Sequence, residues 1–206
     1  MGTFRKILLL FSAFLMLNSF KAPQGEGWVY EREKEGIKVF TKKSAWGKLR
    51  DSRAEMKVAS TPEQMLAILT DFNNYQTWMP RCKKSRLLAR PSENEYIVYT
   101  YLSVPWPLKD RDCVMRMRID KDAKSGVITI TQTSEPKYIK EENNVVRIQQ
   151  MISTWKLIPS SQGTLVINEY GSNPGGDLPD WIVNSQSVEN PLSTFENLQQ
   201  KVVSKK

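Results

Sequence analysis

The chain has 206 residues, of which 40% are hydrophobic and 25% charged, a composition typical of one globular domain and not of a disordered chain. It contains no histidine, which excludes Ser-His and Cys-His nucleophile arrangements and removes the commonest zinc ligand. The formal net charge is +8, but no run of basic residues interleaved with aromatic residues occurs. The composition therefore gives no support for nucleic-acid binding.

The first 22 residues have the layout of a secretory signal. Arg5 and Lys6 precede an apolar stretch at residues 7–17, and small or polar residues follow. This stretch is too short for an ordinary membrane span. We therefore expect residues 1–22 to be a signal peptide and residues 23–206 to form one domain, exported to the bacterial periplasm or the extracellular space. An uncleaved N-terminal membrane anchor is the alternative.

If the leader is cleaved, protein recovered from the periplasm of a bacterial host will begin near Pro23, because residues 1–22 are removed during export. N-terminal sequencing of the recovered protein checks this. Chains that retain Met1 and sediment with the membrane would show the anchor instead.

Alternating apolar and polar residues open the mature chain and predict strands. "GWVYEREKEGIKVFTKK" turns at Glu35-Gly36 and predicts a hairpin, and residues 49–58 predict a third strand. A helix follows, with Ser60 or Thr61 as the cap and Pro62 in the first turn. "NNYQTWMP" predicts a short second helix. The apolar face of the first helix comprises Met65, Ile68, Leu69 and Phe72.

Six further strand-like runs follow, separated by turn residues. They cover residues 85–90, 95–104, 111–119, 127–133, 145–158 and 164–170. A last helix is predicted from Pro179 onward, and Pro191 should kink or split it. This order predicts an α+β fold, with a curved antiparallel sheet of about nine strands wrapped around a long C-terminal helix. The apolar stripe of that helix comprises Trp181, Ser185, Val188, Leu192, Phe195 and Val202.

Six stretches in order carry a resemblance to a known family: "GWVYEREKEGIKVF", "LTDFNNYQTWMPRC", "YTYLSVPWPLKDRDCV", "VVRIQQMISTWKLIP", "NPGGDLPDWIVN" and "PLSTFENLQQKV". Together they resemble the StAR-related lipid-transfer (START) domains of the helix-grip (Bet v 1-like) superfamily, from Trp28 to about Val202. The resemblance implies an apolar tunnel between sheet and helix that binds one hydrophobic molecule, with no chemistry, metal or cofactor.

One strand supplies the first candidate tunnel residues. Cys113, Met115 and Met117 share one face with Ile119, while Arg116 and Arg118 share the other. Met is a flexible liner that suits a ligand of variable shape. Alternation alone cannot separate a tunnel wall from an ordinary filled core.

The two cysteines, Cys82 and Cys113, could form a disulfide or remain buried thiols.

The resemblance adds further candidates. Some members place a buried carboxylate and an Arg in the tunnel, at positions that correspond here to Val98 and Met117. Both are apolar, which argues against a sterol and for a drier tunnel. Arg147 could either face the tunnel or form an exposed salt bridge. The remaining predicted ligand-binding residues are Tyr99, Tyr101, Arg147, Gln149, Met151, Trp155, Trp181, Ser185, Val188 and Leu192.

Three features are interpreted as structural. Arg111 and Asp112 resemble the Arg-Asp pair of the family, and we expect an ion pair that holds the turn before their strand, with ligand contact as the alternative. Trp106, between two prolines, is interpreted as a packing plug. Gly175 and Gly176 either form a hinge for the last helix or supply the positive φ of a static turn.

The resemblance favours non-catalytic binding of a lipid or other hydrophobic small molecule by a monomer that touches membrane surfaces transiently. Two alternatives stay open. One is an aromatase/cyclase-like enzyme that uses Tyr99, Tyr101 and Arg147 in the tunnel. The other is a module that binds a protein or a membrane surface and has a filled core.

Overall fold

A computed structural model describes residues 27–46, 49–176 and 178–204, so the predicted signal peptide lies outside the described residues. Within this part the chain forms ten strands, two α-helices and one short 3-10 helix. In chain order they are β1 (Val29–Lys34), β2 (Ile37–Lys42), β3 (Asp51–Val58), α1 (Pro62–Leu69), the 3-10 helix (Phe72–Thr77), β4 (Cys82–Ser92), β5 (Glu95–Leu102), β6 (Arg111–Lys121), β7 (Ile128–Ser134), β8 (Val146–Arg147), β9 (Gln150–Ser160), β10 (Gly163–Asn173) and α2 (Asp180–Ser204).

All the strands belong to one curved sheet, in the order β1-β2-β3-β10-β9-β7-β6-β5-β4. Every pairing along this path is antiparallel, and the two-residue β8 pairs in parallel with the start of β6. The predicted α+β helix-grip fold is confirmed, with β8 as an additional short strand.

Two strand predictions need correction. The run 145–158 is divided into β8 and β9, because Val146 and Ile148 donate backbone hydrogen bonds to β6 or to the residue before it, whereas β9 pairs with β7 and β10. The strand expected to end at Tyr170 continues through Gly171 to Asn173. Gly171 does not end the strand. A Cβ at this position would lie 2.5 Å from Oδ1 of Asp51, so the residue allows a close approach inside the sheet.

The start of α1 follows the expected capping chemistry. The backbone N–H of Gln64 donates to the Thr61 hydroxyl (3.2 Å), and the Gln64 side chain accepts from the Thr61 backbone N–H (2.9 Å). This reciprocal pair is a capping box, and Pro62 occupies the first turn. The predicted apolar face is buried in the main core.

The last helix is continuous. It spans 25 residues, contains Pro191 and is not split there, contrary to one of the two expectations. Its buried side chains face the sheet, and the ring of Phe195 stacks on Trp155 of β9 at 5.7 Å. Neither α-helix in the described part of the chain is long and apolar enough to cross a bilayer. The buried apolar residues of α2 are Ile182, Leu192, Phe195, Leu198 and Val202.

Candidate functional site

An internal cavity with two chambers lies between the sheet and α2. The inner chamber has a volume of about 140 Å³ and the outer chamber about 120 Å³. Since roughly 10–15 Å³ is enough to hold one water molecule, this space is larger than a packing defect. The core is therefore not completely filled. The chambers are adjacent, since they have seven lining residues in common: Ser52, Pro80, Leu102, Ile148, Tyr170, Gln186 and Asn190.

The inner chamber is lined by apolar and neutral polar side chains, with no charged side chain among the described lining residues. As the alternation predicts, Cys113, Met115 and Met117 line it from β6. Met151 and Trp155 line it from β9. These five predicted residues are thus brought together on one wall, and their contact with a ligand stays a prediction.

Two of the neutral polar side chains in the inner chamber, Asn168 and Ser153, are hydrogen-bonded to each other. The side-chain amide of Asn168 donates to the Ser153 hydroxyl at 2.9 Å and to the backbone carbonyl of Thr154 at 3.3 Å. Sequence reasoning missed Asn168 and Ser153. The period of two that places Met151 and Trp155 on one face of the strand also places Ser153 there. The other polar lining residues that sequence reasoning missed are Ser52, Thr100, Gln132, Tyr170, Gln186, Asn190 and Thr194.

The outer chamber, unlike the inner chamber, is lined by charged side chains. Arg50, Arg81 and Arg111 line it, and none of its described lining residues is acidic. Arg50 is paired with Glu31 at 2.7 Å. Arg111 is 5% exposed and donates to the backbone carbonyls of Lys109 and Gly175.

The expected ion pair between Arg111 and Asp112 does not form. Successive strand residues point to opposite faces of a sheet, so Arg111 lies on the cavity side and Asp112 on the other. Asp112 instead accepts two hydrogen bonds from the Arg147 guanidinium, at 2.7 and 2.8 Å. The two side chains of this pair are each 1% exposed. Removing one partner of such a pair typically costs about 3–5 kcal/mol, because the other charge is left buried.

Arg147 consequently has neither of its predicted roles. It lines neither chamber and makes no exposed salt bridge, since β8 places it beside Asp112. Its guanidinium also donates to the carbonyls of Pro136 (2.7 Å) and Ile139 (3.1 Å). The hydrogen bonds to Asp112 raise the pKa of Arg147. The pair therefore fixes the segment before β8 on the side of the sheet away from the cavity.

Four other predicted residues on the strands lie away from the cavity wall. Tyr99 packs with Ile97 and Val114 in a second cluster, and its hydroxyl donates to Glu142 at 3.2 Å. The Tyr101 hydroxyl donates to Asp110 at 2.6 Å. Val98 is fully buried in the main core but lines neither chamber, and Gln149 is exposed.

The predicted stripe of α2 also lies beside the cavity, not on its wall. Leu192 is buried in the main core, Val188 packs against that core, and the Ser185 hydroxyl donates to the carbonyl of Ile182. The side chain of Trp181 lies outside the described part of the chain. The α2 residues that do line the chambers are Ile182, Gln186, Ser187, Asn190, Pro191 and Thr194.

Titratable groups on the inner wall are held neutral. Burial, with the nearby Asp112 charge, raises the pKa of Cys113 to about 12. Burial likewise raises the pKa of Tyr170 to about 12 and that of Tyr75 further. A neutral thiol and neutral phenols are weak nucleophiles and bases at pH 7. Cys82 and Cys113 are both free and buried, so no disulfide joins them.

The loop between β5 and β6 carries an exposed tryptophan. Trp106 is 92% exposed, so its interpretation as a packing plug is wrong. Pro105 and Pro107 flank it, and Ser103 and Val104 of the same loop line the outer chamber. An apolar ring therefore projects into solvent close to that chamber.

The family is established by comparison with known proteins. The family model described as "START domain" matches residues 17–193, so the chain belongs to the START domain family. The crystal structure of a STAR-related lipid transfer protein from Xanthomonas axonopodis is 30% identical, with a TM-score of 0.80 over 86% of this chain and 99% of that one. An uncharacterised protein of Pseudomonas aeruginosa is 29% identical over 84% of this chain and 85% of its own length.

A similarity of narrower extent connects the chain to a eukaryotic protein. Human phosphatidylcholine transfer protein is 30% identical over 129 residues, which are 60% of this chain and 59% of that protein. The chain thus matches less than two thirds of the length of that relative.

The segment between β10 and α2 contains the predicted hinge glycines. Gly175 and Gly176 both have a φ of +68°, a conformation that L-residues with a side chain rarely adopt. The Gly175 N–H donates to the Asn173 side chain (3.1 Å), and the Gly175 carbonyl accepts from Arg111 (3.2 Å). The conformation therefore favours glycine, and the hinge function stays a prediction.

Replacing Gly175 and Gly176 together by Ala should lower the free energy of unfolding by about 1 kcal/mol or more, because both positions have positive φ. Urea denaturation measures this loss. If the segment is a static turn, stopped-flow exchange of a fluorescent lipid will be unchanged or faster in the variant. Uptake and release that both slow by a similar factor at constant affinity would show a hinge. Gly126→Ala, another positive-φ glycine, is the matched control for stability alone.

Proposed function

We propose that this protein binds one hydrophobic small molecule, a lipid, in the internal cavity and carries or senses it without chemical change. The observation that carries the proposal is the inner chamber, which lies between the sheet and α2 and has no charged side chain among its described lining residues. Membership of the START family supports it, as do relatives named as lipid transfer proteins. Export to the periplasm is part of the proposal and rests on the leader alone.

The chemistry of the wall suits binding by burial of apolar surface. Trp155, Met115, Met117 and Met151 offer flexible or aromatic contacts without a fixed hydrogen-bonding pattern. Burying about 300 Å² of apolar ligand surface contributes about 7 kcal/mol, before the costs of immobilisation. Before those costs are subtracted, this magnitude corresponds to a dissociation constant of about 10 μM, and no covalent chemistry is needed.

The residues that could act in catalysis also favour ligand binding over an enzymatic function. Tyr99, Tyr101 and Arg147, on which the aromatase/cyclase alternative depends, do not line the chambers. The titratable groups that do line the inner chamber have raised pKa values and stay protonated at neutral pH. Ligand binding is therefore the function that this site supports best.

Loading of the cavity requires a donor membrane, and we propose the loop 103–110 as the contact. Trp side chains prefer the membrane–water interface because one end is apolar and the other can be hydrated. The exposed cations Arg81 and Lys109 near this loop suit attraction to anionic lipids. The loop borders the outer chamber, so contact there would place the chamber next to the bilayer.

Met117→Arg should abolish uptake of a fluorescent fatty acid or phospholipid, because the guanidinium would enter the inner chamber, where no described carboxylate can pair with it. Fluorescence titration measures the uptake. Asp120→Arg, at an exposed position of the same strand, is the matched control and should bind normally. Normal uptake by a folded Met117→Arg variant would show that the chamber is not the binding site.

Since Met117→Arg can also impair folding, Met115→Trp provides a second test. The larger apolar ring should occupy part of the chamber and lower uptake without introducing a charge. Native mass spectrometry of gently purified wild-type protein complements both variants. A bound lipid of unchanged chemistry supports the carrier, whereas a chemically modified small molecule supports an enzyme.

Trp106→Ala should weaken binding to vesicles that contain anionic phospholipid, because the exposed ring no longer enters the interface. Vesicle flotation measures the bound fraction. Uptake of a fatty acid added in solution should be unchanged, since Trp106 lines neither chamber. Tyr30→Ala, which removes an aromatic ring that is 50% exposed on β1, is the control. Equal vesicle binding by wild type and Trp106→Ala would exclude this loop as the contact.

A further inference from the structure

The outer chamber contains a buried positive charge that no carboxylate of the described residues neutralises. Arg111 is 5% exposed, and no salt bridge joins it to an acidic side chain in the described part of the chain. Its Nε atom is buried and has no hydrogen-bond partner. The other guanidinium nitrogens donate to the carbonyls of Lys109 and Gly175, which are neutral acceptors.

The acidic neighbours of Arg111 are already bound to other groups. The carboxylate of Asp110 accepts from the Tyr101 hydroxyl (2.6 Å) and from the backbone N–H of Val104 (2.8 Å). Asp112 accepts both of its short hydrogen bonds from Arg147 on the opposite face of the sheet. Burial lowers the pKa of Arg111, and the charge of Asp110 opposes this effect only in part. An arginine stays protonated in proteins nevertheless, so its charge persists in the chamber.

A buried charge without a counterion is costly, and the cost is removed if a ligand supplies the counterion. Arg81 adds a second cation to the chamber wall, and none of the described lining residues of this chamber is acidic. The adjoining inner chamber has no charged side chain among its described lining residues. The cavity is therefore positive at one end and apolar at the other.

We infer that the outer chamber binds the anionic head group of an amphiphile, a carboxylate or a phosphate, through Arg111, while the apolar chain of the same molecule occupies the inner chamber. The guanidinium fork matches both oxyanions in geometry. This inference rests on the proposed function, because it specifies which class of lipid the cavity selects.

The test compares three ligands that have the same chain and different head groups: decanol, decanoate and decyl phosphate. Isothermal titration calorimetry at neutral pH measures the dissociation constant of each for the wild-type protein. We expect at least one anion to bind roughly tenfold or more tightly than decanol, the usual effect of a hydrogen bond to a charged group. The preferred anion distinguishes a fatty-acid head from a phosphate head.

The variants assign the preference to one side chain. Arg111→Met, which keeps the length of the side chain and removes the charge, should lose the preference for the anion and still bind decanol. Arg111→Lys should retain part of it. Arg118→Met is the matched control on the same strand, because the Arg118 side chain is 66% exposed and lines neither chamber. It should behave as wild type.

The possible failures are distinguishable. If wild type binds all three ligands equally, the head-group inference is wrong and binding in the cavity stands. If a folded Arg111→Met variant loses all three equally, Arg111 only holds Lys109 and Gly175 in place, and the inference is again wrong. If wild type binds none of the three, both the inference and the proposed function are overturned. The wild-type comparison decides the matter even if Arg111→Met does not fold.

Discussion

The packing of α2 against a curved sheet is the constraint on which the rest of the structure depends. One side of the helix must bury its apolar residues, and Phe195 does so by stacking on Trp155 while Leu198 is fully enclosed. Among the described side chains that α2 turns toward the chambers, Gln186, Asn190 and Thr194 are neutral and polar. Because these side chains do not fill the space beneath them, the same helix both closes the core and leaves the cavity open.

The adjacent residues Arg111 and Asp112 have different roles on the two faces of the sheet. The period of two in a strand sends them to opposite faces, so their charges cannot neutralise each other directly. Asp112 is satisfied by Arg147, which stabilises the outer face, and Arg111 lies on the cavity side, where its hydrogen-bond partners among the described residues are carbonyls. A sequence motif that suggests one ion pair thus corresponds to a structural pair on one face and, on the other, a cation that no described carboxylate neutralises.

The alternation of β6 was sufficient to place Cys113, Met115 and Met117 on one face of the strand, because the other face carries Arg116 and Arg118, but it could not show that this face lines a cavity. The same reasoning could not orient β5. Its residues Ile97 to Thr100 are buried on both faces, so the pattern contains no polar side to mark the outside. Tyr99 and Tyr101 were consequently assigned to the tunnel, although they lie on the opposite face.

Arg147 shows a second limit of sequence reasoning. A charge between the apolar residues Val146 and Ile148 needs a partner, but the partner is 35 positions away and is brought near by the parallel pairing of β8 with β6. A two-residue strand has no periodicity from which this pairing could be read. The order of the elements, in contrast, was readable because most of the long strands and the helices show their own period and turn residues separate them.

The burial of Cys113 has a consequence for redox chemistry. Burial raises the pKa of Cys113 to about 12, so the thiol stays protonated at pH 7, whereas the thiolate is the form that reacts with oxidants and disulfides. Cys82 is also buried, and burial raises its pKa. Burial thereby protects both unpaired cysteines from oxidation. Their protection comes from the same apolar wall that encloses the cavity, so any opening of that wall would expose Cys113 to oxidation.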